Sequence, residues 1–287
     1  MAKLAAARYF CSVCGASSAS WAGRCPSCGE WGTMEKGATP GAEANRQVAR
    51  CIVASEALPP SRVSSGFDDF DRVLGGGFVP GGVYLLGGQP GIGKSTLLLQ
   101  TCGMMAEIVG PVLYLSGEES ESQIALRAKR LGTRLDGLHL ACTGDIVSAL
   151  EALPGMRFLV VDSVQAMSVD GEGGWPGSPA QVRAVAQACI SSAKERGIPA
   201  VLVGHITKEG RIAGPMLLEH MVDAVLTFSG EDYSPYRMLR AGKNRYGSTE
   251  ELGVFEMTDS GLSPVRDVSG LYWNRASETV PGVAMTV

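Results

Sequence analysis

This sequence of 287 residues lacks several features that would assign a protein to a simple class. It has no apolar run long enough to span a bilayer, and its start, MAKLAAAR, offers only four apolar residues after Lys3, too few for the core of a signal peptide. It also lacks an excess of positive charge, since its net charge is −4, so a nucleic-acid surface would have to be a local patch. We therefore expect a cytoplasmic protein without a membrane segment.

No internal repeat and no low-complexity tract interrupts the chain. Apolar residues make up 45% of the sequence and charged residues 19%, a composition that can bury a core. Disulfides are rare in the cytoplasm, so the eight cysteines need another explanation. Four of them cluster near the start. The others are scattered, and we interpret them as small apolar residues: Cys51, Cys102, Cys142 and Cys189.

Composition divides the chain into four segments. Residues 1–36 hold the cysteine cluster and predict a zinc-binding module. Residues 37–60 are rich in Gly, Ala and Pro without clear periodicity and predict a linker. Residues 61–270 alternate apolar runs with helical patterns, which predicts an α/β domain with a mainly parallel, twisted sheet. Residues 271–287 have a strand-like apolar pattern without a closing signal, and we expect them to begin a C-terminal domain that is absent or truncated here.

Apolar runs bounded by turn residues predict eight strands in the third segment. They are 83–87, 112–116, 138–141, 158–162, 200–205, 224–228, 236–241 and 252–257. The last two follow each other closely and predict an antiparallel pair. Helical patterns fall at 94–108, 121–131, 145–152 and 180–196.

The cysteine cluster has the spacing C-x2-C, ten residues, C-x2-C. Cys11, Cys14, Cys25 and Cys28 would supply four thiolates to a tetrahedral zinc ion, and a glycine follows each pair, where such turns often need a positive φ. Because about 30 residues cannot bury a sufficient core, the metal would itself stabilise the module. Four protein ligands leave no open position, so we predict a structural zinc, with redox or unpaired thiols as the alternative.

A phosphate-binding pattern of the Walker A type, G-x-x-x-x-G-K-[ST], lies between the first predicted strand and the first predicted helix. Its glycines let backbone N–H groups approach phosphate oxygens, and the helix N-terminus adds a positive dipole. Lys94 is expected to reach the β- and γ-phosphates, and Ser95 to ligate Mg²⁺. The expected nucleotide-binding residues are Gly88, Gln89, Pro90, Gly91, Ile92, Gly93, Lys94, Ser95 and Thr96.

Acidic residues follow two other predicted strands. Asp162 ends the apolar run FLVVD and is predicted to hold the Mg²⁺ shell, with helix capping as the alternative. Glu118 and Glu119 follow VLYLS, where a carboxylate would face the γ-phosphate and orient a water molecule. Spacing alone leaves open that these two glutamates are first-turn charges that complement a helix dipole.

The set of motifs, in this order, resembles the bacterial RadA/Sms DNA-repair proteins, which are relatives of RecA and of hexameric replicative helicases. The motifs are the four-cysteine knuckle, GGQPGIGKST, YLSGEES, FLVVDSVQ, VGHITKEG and KNRYG, and the likeness extends from residue 9 to about 287. It implies a RecA-like P-loop ATPase core. Family members continue into a domain resembling the Lon protease, and this chain stops about where that domain would begin.

The resemblance implies roles for individual residues. Glu118 would be the general base, with Glu119 the lesser candidate. His205, which ends AVLVGH, would sense the γ-phosphate, with a satisfied structural histidine as the alternative. The family motif KNRFG is KNRYG here, and by that likeness Lys243 and Arg245 would reach the γ-phosphate bound by a neighbouring subunit.

The residues of KNRYG agree with that role. Lys243 and Arg245 are two apart, so on an extended strand end they point to the same side. Lys94 already supplies the nucleotide pocket of the chain with a cation, so Lys243 and Arg245 have no obvious use within their own chain. The alternative is a solvated pair on an edge strand that discourages aggregation.

Two glycine-rich segments, 170–183 and 207–215, are predicted to be the DNA-binding loops that RecA-like cores carry. Cations there would neutralise phosphates, and Trp175 could stack on a base. Acidic residues weaken an argument from charge, and flexible surface loops are the alternative. The candidate DNA contacts are Arg183, Lys208 and Arg211.

The predicted function is that of a DNA-dependent ATPase, a helicase-type motor that uses ATP, Mg²⁺ and Zn²⁺. It would form a homo-oligomer, a hexameric ring around single-stranded DNA, and promote branch migration of recombination intermediates beside a RecA-type recombinase. One alternative is a RecA-type strand-exchange filament, against which the zinc knuckle argues. Another is a nucleotide-gated protein that binds DNA or partners with little hydrolysis. A kinase of the circadian-clock type would need a phosphorylated Ser/Thr tract, which we do not identify.

Overall fold

The structure is a computed structural model that describes residues 8–11, 13, 17–18, 20–37, 61–205, 217–231 and 234–265. The chain separates into two compact units, with the division between Leu58 and Pro59. Of the predicted linker 37–60 only the first residue is described, and the segment 271–287 lies outside the described residues. The predicted domain boundaries therefore stay predictions.

The N-terminal unit contains a small antiparallel sheet. Its strands are β1 (Arg8–Cys11), β2 (Ser17–Ser18) and β3 (Met34–Gly37), in the order β2-β1-β3. Cys11, Cys25 and Met34 are buried together beneath Tyr9. Among the described residues of this unit, these buried side chains are too few to hold a fold by hydrophobic burial alone, which agrees with a module that depends on metal.

The second unit is built on one nine-stranded sheet with helices on both faces. Its strands are β4 (Val83–Gly88), β5 (Val112–Ser116), β6 (Leu138–Cys142), β7 (Phe158–Asp162), β8 (Ala200–His205), β9 (Ala224–Gly230), β10 (Tyr236–Asn244), β11 (Leu252–Thr258) and β12 (Gly261–Pro264). Its helices are α1 (Asp68–Leu74), α2 (Lys94–Val109), α3 (Glu121–Arg130), α4 (Ile146–Glu151), α5 (Pro179–Arg196) and α6 (Leu217–Met221).

The strand order is β12-β11-β10-β9-β4-β8-β7-β5-β6. The pairings from β9 to β6 are parallel, and those from β9 to β12 are antiparallel. In such sheets ligands bind outside the carboxyl ends of the parallel strands. The carboxyl ends of β4, β8, β7 and β5 lie side by side, so the side chains that follow them can converge on one ligand.

Alternation along the buried strands sends side chains to two separate cores. Tyr84 and Leu86 of β4 pack on the face covered by α1, α2 and α3. Val83 and Leu85 of the same strand pack on the face covered by α4, α5 and α6. Both faces are therefore covered, which explains why these strands are apolar throughout rather than alternating with polar residues.

The predicted fold class is confirmed. All eight predicted strands and all four predicted helices of the core are present, and β10 and β11 form the predicted antiparallel pair. In the described part of the core, sequence patterns missed α1, α6, β12 and the 3-10 turn at Val164–Ala166, each of seven residues or fewer. Within the part of the chain that the structure describes, every helix is too short or insufficiently apolar to cross a bilayer.

Candidate functional site

The phosphate loop joins the end of β4 to the start of α2, as predicted. Gly91 and Gly93 have φ of 77° and 112°, in the left-handed region that glycine tolerates best. A Cβ on Gly88 would lie 2.6 Å from the carbonyl oxygen of Phe228 on the neighbouring strand β9. The pattern of glycines therefore follows from backbone geometry and close packing.

Lys94 is held at the first position of α2. Its Nζ donates to the carbonyl oxygens of Gly88 at 2.8 Å and Gln89 at 2.9 Å. Burial lowers the pKa of Lys94, and the charges of Asp162 and Glu118 oppose that shift. Among the described residues, the hydrogen-bond partners of this buried amine are the two loop carbonyls, and a phosphate oxygen could replace them.

A cavity of about 450 Å³ opens above the loop. It brings together side chains from the phosphate loop, from the ends of β5 and β7, and from α3. The lining residues are Pro90, Gly91, Gly93, Lys94, Ser95, Thr96, Ser116, Glu118, Glu119, Arg127, Arg130 and Asp162. Of the predicted nucleotide-binding residues, Gly88, Gln89 and Ile92 belong to the loop without lining this cavity.

Asp162 is fixed at the end of β7 by a buried tyrosine. The hydroxyl of Tyr114 donates to Asp162 Oδ2 at 2.5 Å. Burial, followed by the charge of Asp162, raises the pKa of Tyr114 well above its usual value, so the tyrosine remains a donor. Because β5 and β7 pair in parallel with Ser116 opposite Asp162, both residues reach the same edge of the sheet. Asp162 and Ser95 line one cavity and have the oxygen ligands that suit Mg²⁺.

The two glutamates after β5 have different partners. Glu118 Oε1 accepts a hydrogen bond of 2.6 Å from Ser163 Oγ. Glu119 receives two hydrogen bonds from the guanidinium of Arg127, at 2.6 and 2.5 Å. Ser120 caps α3, which begins at Glu121, so Glu118 and Glu119 precede the first turn rather than belonging to it.

Sequence patterns did not identify Tyr114, Ser163, Arg127 or Arg130 as part of this site. One signal was present, because a tyrosine in a fully buried strand needs a partner for its hydroxyl, and Asp162 ended another buried strand. Arg127 carried no such signal, since its orientation depends on how α3 packs through Ile124 and Ala128.

His205 is the last residue of β8, and its backbone pairs with Gly88 at the start of the phosphate loop. Its side chain lies outside the described residues. This position would allow His205 to connect the phosphate loop to the segment after β8. Its role as a sensor of the γ-phosphate stays a prediction.

Lys243 and Arg245 both have partners in their own chain. Lys243 Nζ donates to the carbonyl oxygens of Glu219 at 2.7 Å and Val222 at 2.8 Å, at the end of α6. Burial and the nearby charge of Arg245 lower the pKa of Lys243. Arg245 Nη1 contacts Asp223 Oδ1 at 3.0 Å. The expectation that these cations have no local use is therefore wrong.

The alternative of an edge-strand pair is also wrong, because β10 lies between β9 and β11. Lys243 is near the end of β10, and Arg245 follows the strand. Neither residue lines the cavity at the phosphate loop. The side chain of Arg245 is half-exposed beyond its contact with Asp223, so part of it faces solvent.

The rest of KNRYG docks on the end of α1. Asn244 Nδ2 donates to the carbonyl oxygens of Val73 and Leu74, each at 3.3 Å. A Cβ on Gly247 would lie 2.9 Å from the Cα of Gly75, so only glycine allows this approach. The two cations are therefore carried by a firmly anchored turn.

The first predicted DNA-binding loop is described and exposed. Trp175 is 85% exposed, and Arg183 lies on the exposed side of α5. Gln181, which is buried, accepts from Val169 N at 2.8 Å and donates to Glu172 O at 2.9 Å, so it ties the loop to the helix. The second predicted loop, 207–215, with its two cations Lys208 and Arg211, lies outside the described residues.

Three of the four predicted metal ligands come together in the N-terminal unit. The Sγ atoms of Cys11, Cys25 and Cys28 lie within 4.8 Å of one another, and those of Cys11 and Cys28 are 3.6 Å apart. A zinc ion about 2.3 Å from each thiolate holds sulfur atoms about 3.8 Å apart, so the cluster fits zinc. Gly29 has the predicted positive φ, 79°. Cys14 lies outside the described residues.

We expect the full chain to carry one zinc ion, and Cys28→Ser to lose most of it, because three ligands bind zinc far more weakly than four thiolates. Metal analysis of the reduced, dialysed protein measures this directly. Cys142→Ser, which removes a cysteine outside the cluster, is the matched control. A Cys28→Ser variant that keeps its full zinc content would contradict the assignment.

Two tryptophans of this unit are exposed. Trp21 is 63% and Trp31 74% exposed, and Arg24 lies over the ring of Trp31 at 5.9 Å. Both rings are therefore largely exposed to solvent rather than packed within the unit.

Comparison with known proteins identifies relatives along nearly the whole chain. A family described as "AAA domain" matches residues 57–211, and one described as "Rubredoxin metal binding domain" matches residues 9–36. The chain is 42% identical to the DNA repair protein RadA of Brucella abortus, 44% to that of Bacillus subtilis and 45% to that of Pseudomonas aeruginosa. These alignments cover 97%, 97% and 96% of this chain and 63%, 64% and 63% of the relatives. The chain thus spans somewhat less than two thirds of their length.

Solved structures show the same fold. The RadB recombinase superposes with a TM-score of 0.55 at 21% identity and covers 71% of this chain and 99% of its own. A KaiC-like protein from Pyrococcus horikoshii OT3 superposes with a TM-score of 0.57 at 21% identity, covering 72% and 100%. At this identity the likeness concerns the fold alone, and it confirms the predicted RecA-like core. The chain belongs to the AAA-domain family whose pattern fills residues 57–211, and it is a homologue of the RadA DNA repair proteins.

Proposed function

We propose that this chain is the ATP-hydrolysing motor portion of a DNA-dependent ATPase that acts in recombinational DNA repair. The observation that carries the proposal is the convergence of Lys94, Glu118 and Asp162 in one cavity at the carboxyl ends of parallel strands. A phosphate-binding loop, an acidic residue for Mg²⁺ and a carboxylate for water are the parts that ATP hydrolysis requires. Homology to DNA repair proteins over nearly the whole chain supports the biological setting and a cytoplasmic location.

In this proposal the loop from Gly88 to Thr96 binds the phosphates through its N–H groups, and Lys94 exchanges its loop carbonyls for phosphate oxygens. Glu118 orients the attacking water and accepts its proton, while Ser163 holds the carboxylate in place. Asp162, fixed by Tyr114, and Ser95 would hold Mg²⁺, which supplies charge neutralisation on the β- and γ-phosphates.

Completion of the site by a second copy of the chain is the next part of the proposal. Lys243 and Arg245 lie outside the cavity of their own chain, on a turn anchored to α1. Projected into a neighbour's site, they would stabilise the charge that develops on the γ-phosphate, and His205 would sense that phosphate. In a closed ring, which we propose to be hexameric, every subunit both donates and receives such cations.

Single-stranded DNA would occupy the centre of the ring. The exposed Trp175 offers a stacking surface, and Arg183 with Lys208 and Arg211 would neutralise phosphates. ATP-driven movement along one strand would promote branch migration of recombination intermediates, beside a RecA-type recombinase that forms them.

The experiment that tests the proposal is ATP turnover per subunit measured against protein concentration, with and without single-stranded DNA. We expect turnover to rise with concentration, because assembly completes the sites, and to rise further with DNA. Continuous helical filaments on DNA, without closed rings, would favour a strand-exchange protein. Absence of turnover at every concentration would favour a nucleotide-gated binding protein.

We expect Trp175→Ala to weaken single-stranded DNA binding about tenfold, because stacking contributes roughly 1–3 kcal/mol per base. Fluorescence anisotropy of a labelled oligonucleotide at fixed salt gives the dissociation constants of the variant and the parent. Leu126→Ala, which removes another exposed apolar side chain on α3, is the control. Equal binding by Trp175→Ala and the parent would exclude this loop from the DNA path.

A further inference from the structure

The two adjacent glutamates after β5 begin from the same anchor. The backbone N–H groups of Glu118 and Glu119 both point to Ser116 Oγ, at 3.3 and 2.9 Å. Their side chains then diverge, Glu118 toward Ser163 and Glu119 toward Arg127. Both carboxylates line the cavity that would hold the phosphates. Two carboxylates therefore line the cavity where only one is needed to orient water.

We infer that Arg127 neutralises Glu119, so that Glu118 acts as the single water-orienting carboxylate beside the γ-phosphate. This inference rests on the proposed ATP hydrolysis and adds a positioning residue to it. Neither Arg127 nor its pairing with Glu119 was predicted from motifs. In this role Arg127 neutralises the negative charge of Glu119, which is adjacent to the base Glu118, and makes no contact with the substrate.

The geometry of the pair supports neutralisation. Arg127 Nη1 and Nη2 each donate to a different oxygen of Glu119, in the bidentate arrangement that carboxylates favour. Both side chains are about three-quarters buried, so solvent screens the pair less than it would a surface salt bridge. The pKa of Arg127 lies above its usual value: burial lowers it, but the hydrogen bonds and charge of Glu119 raise it more.

The charges of the whole site explain why the pair is needed. Around the cavity lie the carboxylates of Glu118, Glu119 and Asp162, against the cations Lys94, Arg127 and Arg130. A nucleotide adds several negative charges to this set. If Arg127 were absent, the uncompensated charge of Glu119 would oppose chiefly the negative charge that develops during attack.

Two other roles for Arg127 make different predictions. A direct contact with phosphate would use N–H groups of the guanidinium that Glu119 does not occupy, and it would act mainly on the affinity for ATP. A purely structural role, holding α3 against the end of β5, is not needed. Ser120 and Gln123 already form a capping box at the start of the helix, and the buried side chains of Ile124 and Ala128 pack it against the core.

The test is a charge-cancelling double-mutant comparison in the full chain, with ATP turnover as the readout. We expect Arg127→Gln to lower kcat about tenfold with KM for ATP within about threefold, because the charge acts on the reacting state. Adding Glu119→Gln to that variant removes the uncompensated carboxylate and should raise kcat at least about fivefold. Arg127→Lys, which keeps the charge and loses the fork, should keep most of the turnover. Lys129→Gln, an exposed neutralisation on the same helix, is the control.

Several outcomes would overturn the inference. A double variant no faster than Arg127→Gln would mean that Arg127 acts on something other than Glu119. A large rise in KM would indicate direct phosphate contact. A lowered melting temperature with kcat and KM unchanged would indicate a purely structural role. Failure of the proposed function is distinguishable, because then the parent chain itself would not hydrolyse ATP, or Glu118→Gln would keep its turnover.

Discussion

Glu118→Gln should lower kcat for ATP hydrolysis at least about 100-fold while ATP affinity stays within about threefold. Loss of a general base costs typically 10²–10⁴ in rate, and glutamine keeps the shape and a hydrogen-bond partner for Ser163 without accepting a proton. Steady-state phosphate release gives kcat, and equilibrium binding of a fluorescent nucleotide gives the affinity.

Glu119→Gln is the matched comparison, because it makes the same chemical change one residue away. Its carboxylate is occupied by Arg127, so it should cost far less turnover than Glu118→Gln. A larger loss of turnover for Glu119→Gln than for Glu118→Gln would assign the role of general base to Glu119 instead. If Glu118→Gln kept the turnover of the parent, the proposed hydrolytic mechanism would be wrong.

Arg245→Ala should lower kcat in the assembled protein by about 10³-fold, the scale at which arginine fingers act on phosphoryl transfer. The side chain is half-exposed on an anchored turn, outside the cavity of its own chain. ATP turnover at a concentration where the parent is fully assembled measures the effect. Arg240→Ala removes an exposed cation from the same strand, β10, and should keep turnover close to that of the parent.

The ion pair of Arg245 with Asp223 offers a competing explanation for such a loss, because Asp223 Oδ2 also accepts from Val83 N at 3.0 Å. Asp223→Asn would break the ion pair and leave the guanidinium in place. If turnover depends on Arg245 reaching a neighbour, Asp223→Asn costs much less than Arg245→Ala. Equal losses in turnover, with equal losses in thermal stability, would assign Arg245 a role within its own fold.

The architecture of the core was predictable because its signal is local. The run VYLLG in β4 and the run FLVVD in β7 are apolar on both faces, which in an α/β chain indicates parallel strands covered on two sides. The phosphate loop was equally predictable, since its glycines are required by the backbone conformation of the loop itself. Short elements such as α1 and α6 were missed, because five to seven residues hold too little periodicity to distinguish a helix from a turn.

The pairings that refine the site were not predictable, because each depends on tertiary placement. Tyr114 meets Asp162 only because β5 and β7 are adjacent and in a particular register, although 48 residues separate them. Lys243 meets the end of α6 because β10 returns beside β9. Spacing in the sequence suggested that Lys243 and Arg245 share a side, but it could not supply their partners.

The most direct measurement of the central claim, a nucleotide site completed by a neighbouring subunit, is ATP turnover in mixtures of two inactive variants. Lys94→Ala has a disabled phosphate loop and an intact KNRYG turn, whereas Arg245→Ala has the reverse. In a mixed assembly, the turn of a Lys94→Ala subunit can complete the site of an adjacent Arg245→Ala subunit. The account predicts that the mixture hydrolyses ATP several times faster than the sum of the two variants measured alone. Turnover equal to that sum, in mixtures shown to co-assemble, would contradict it.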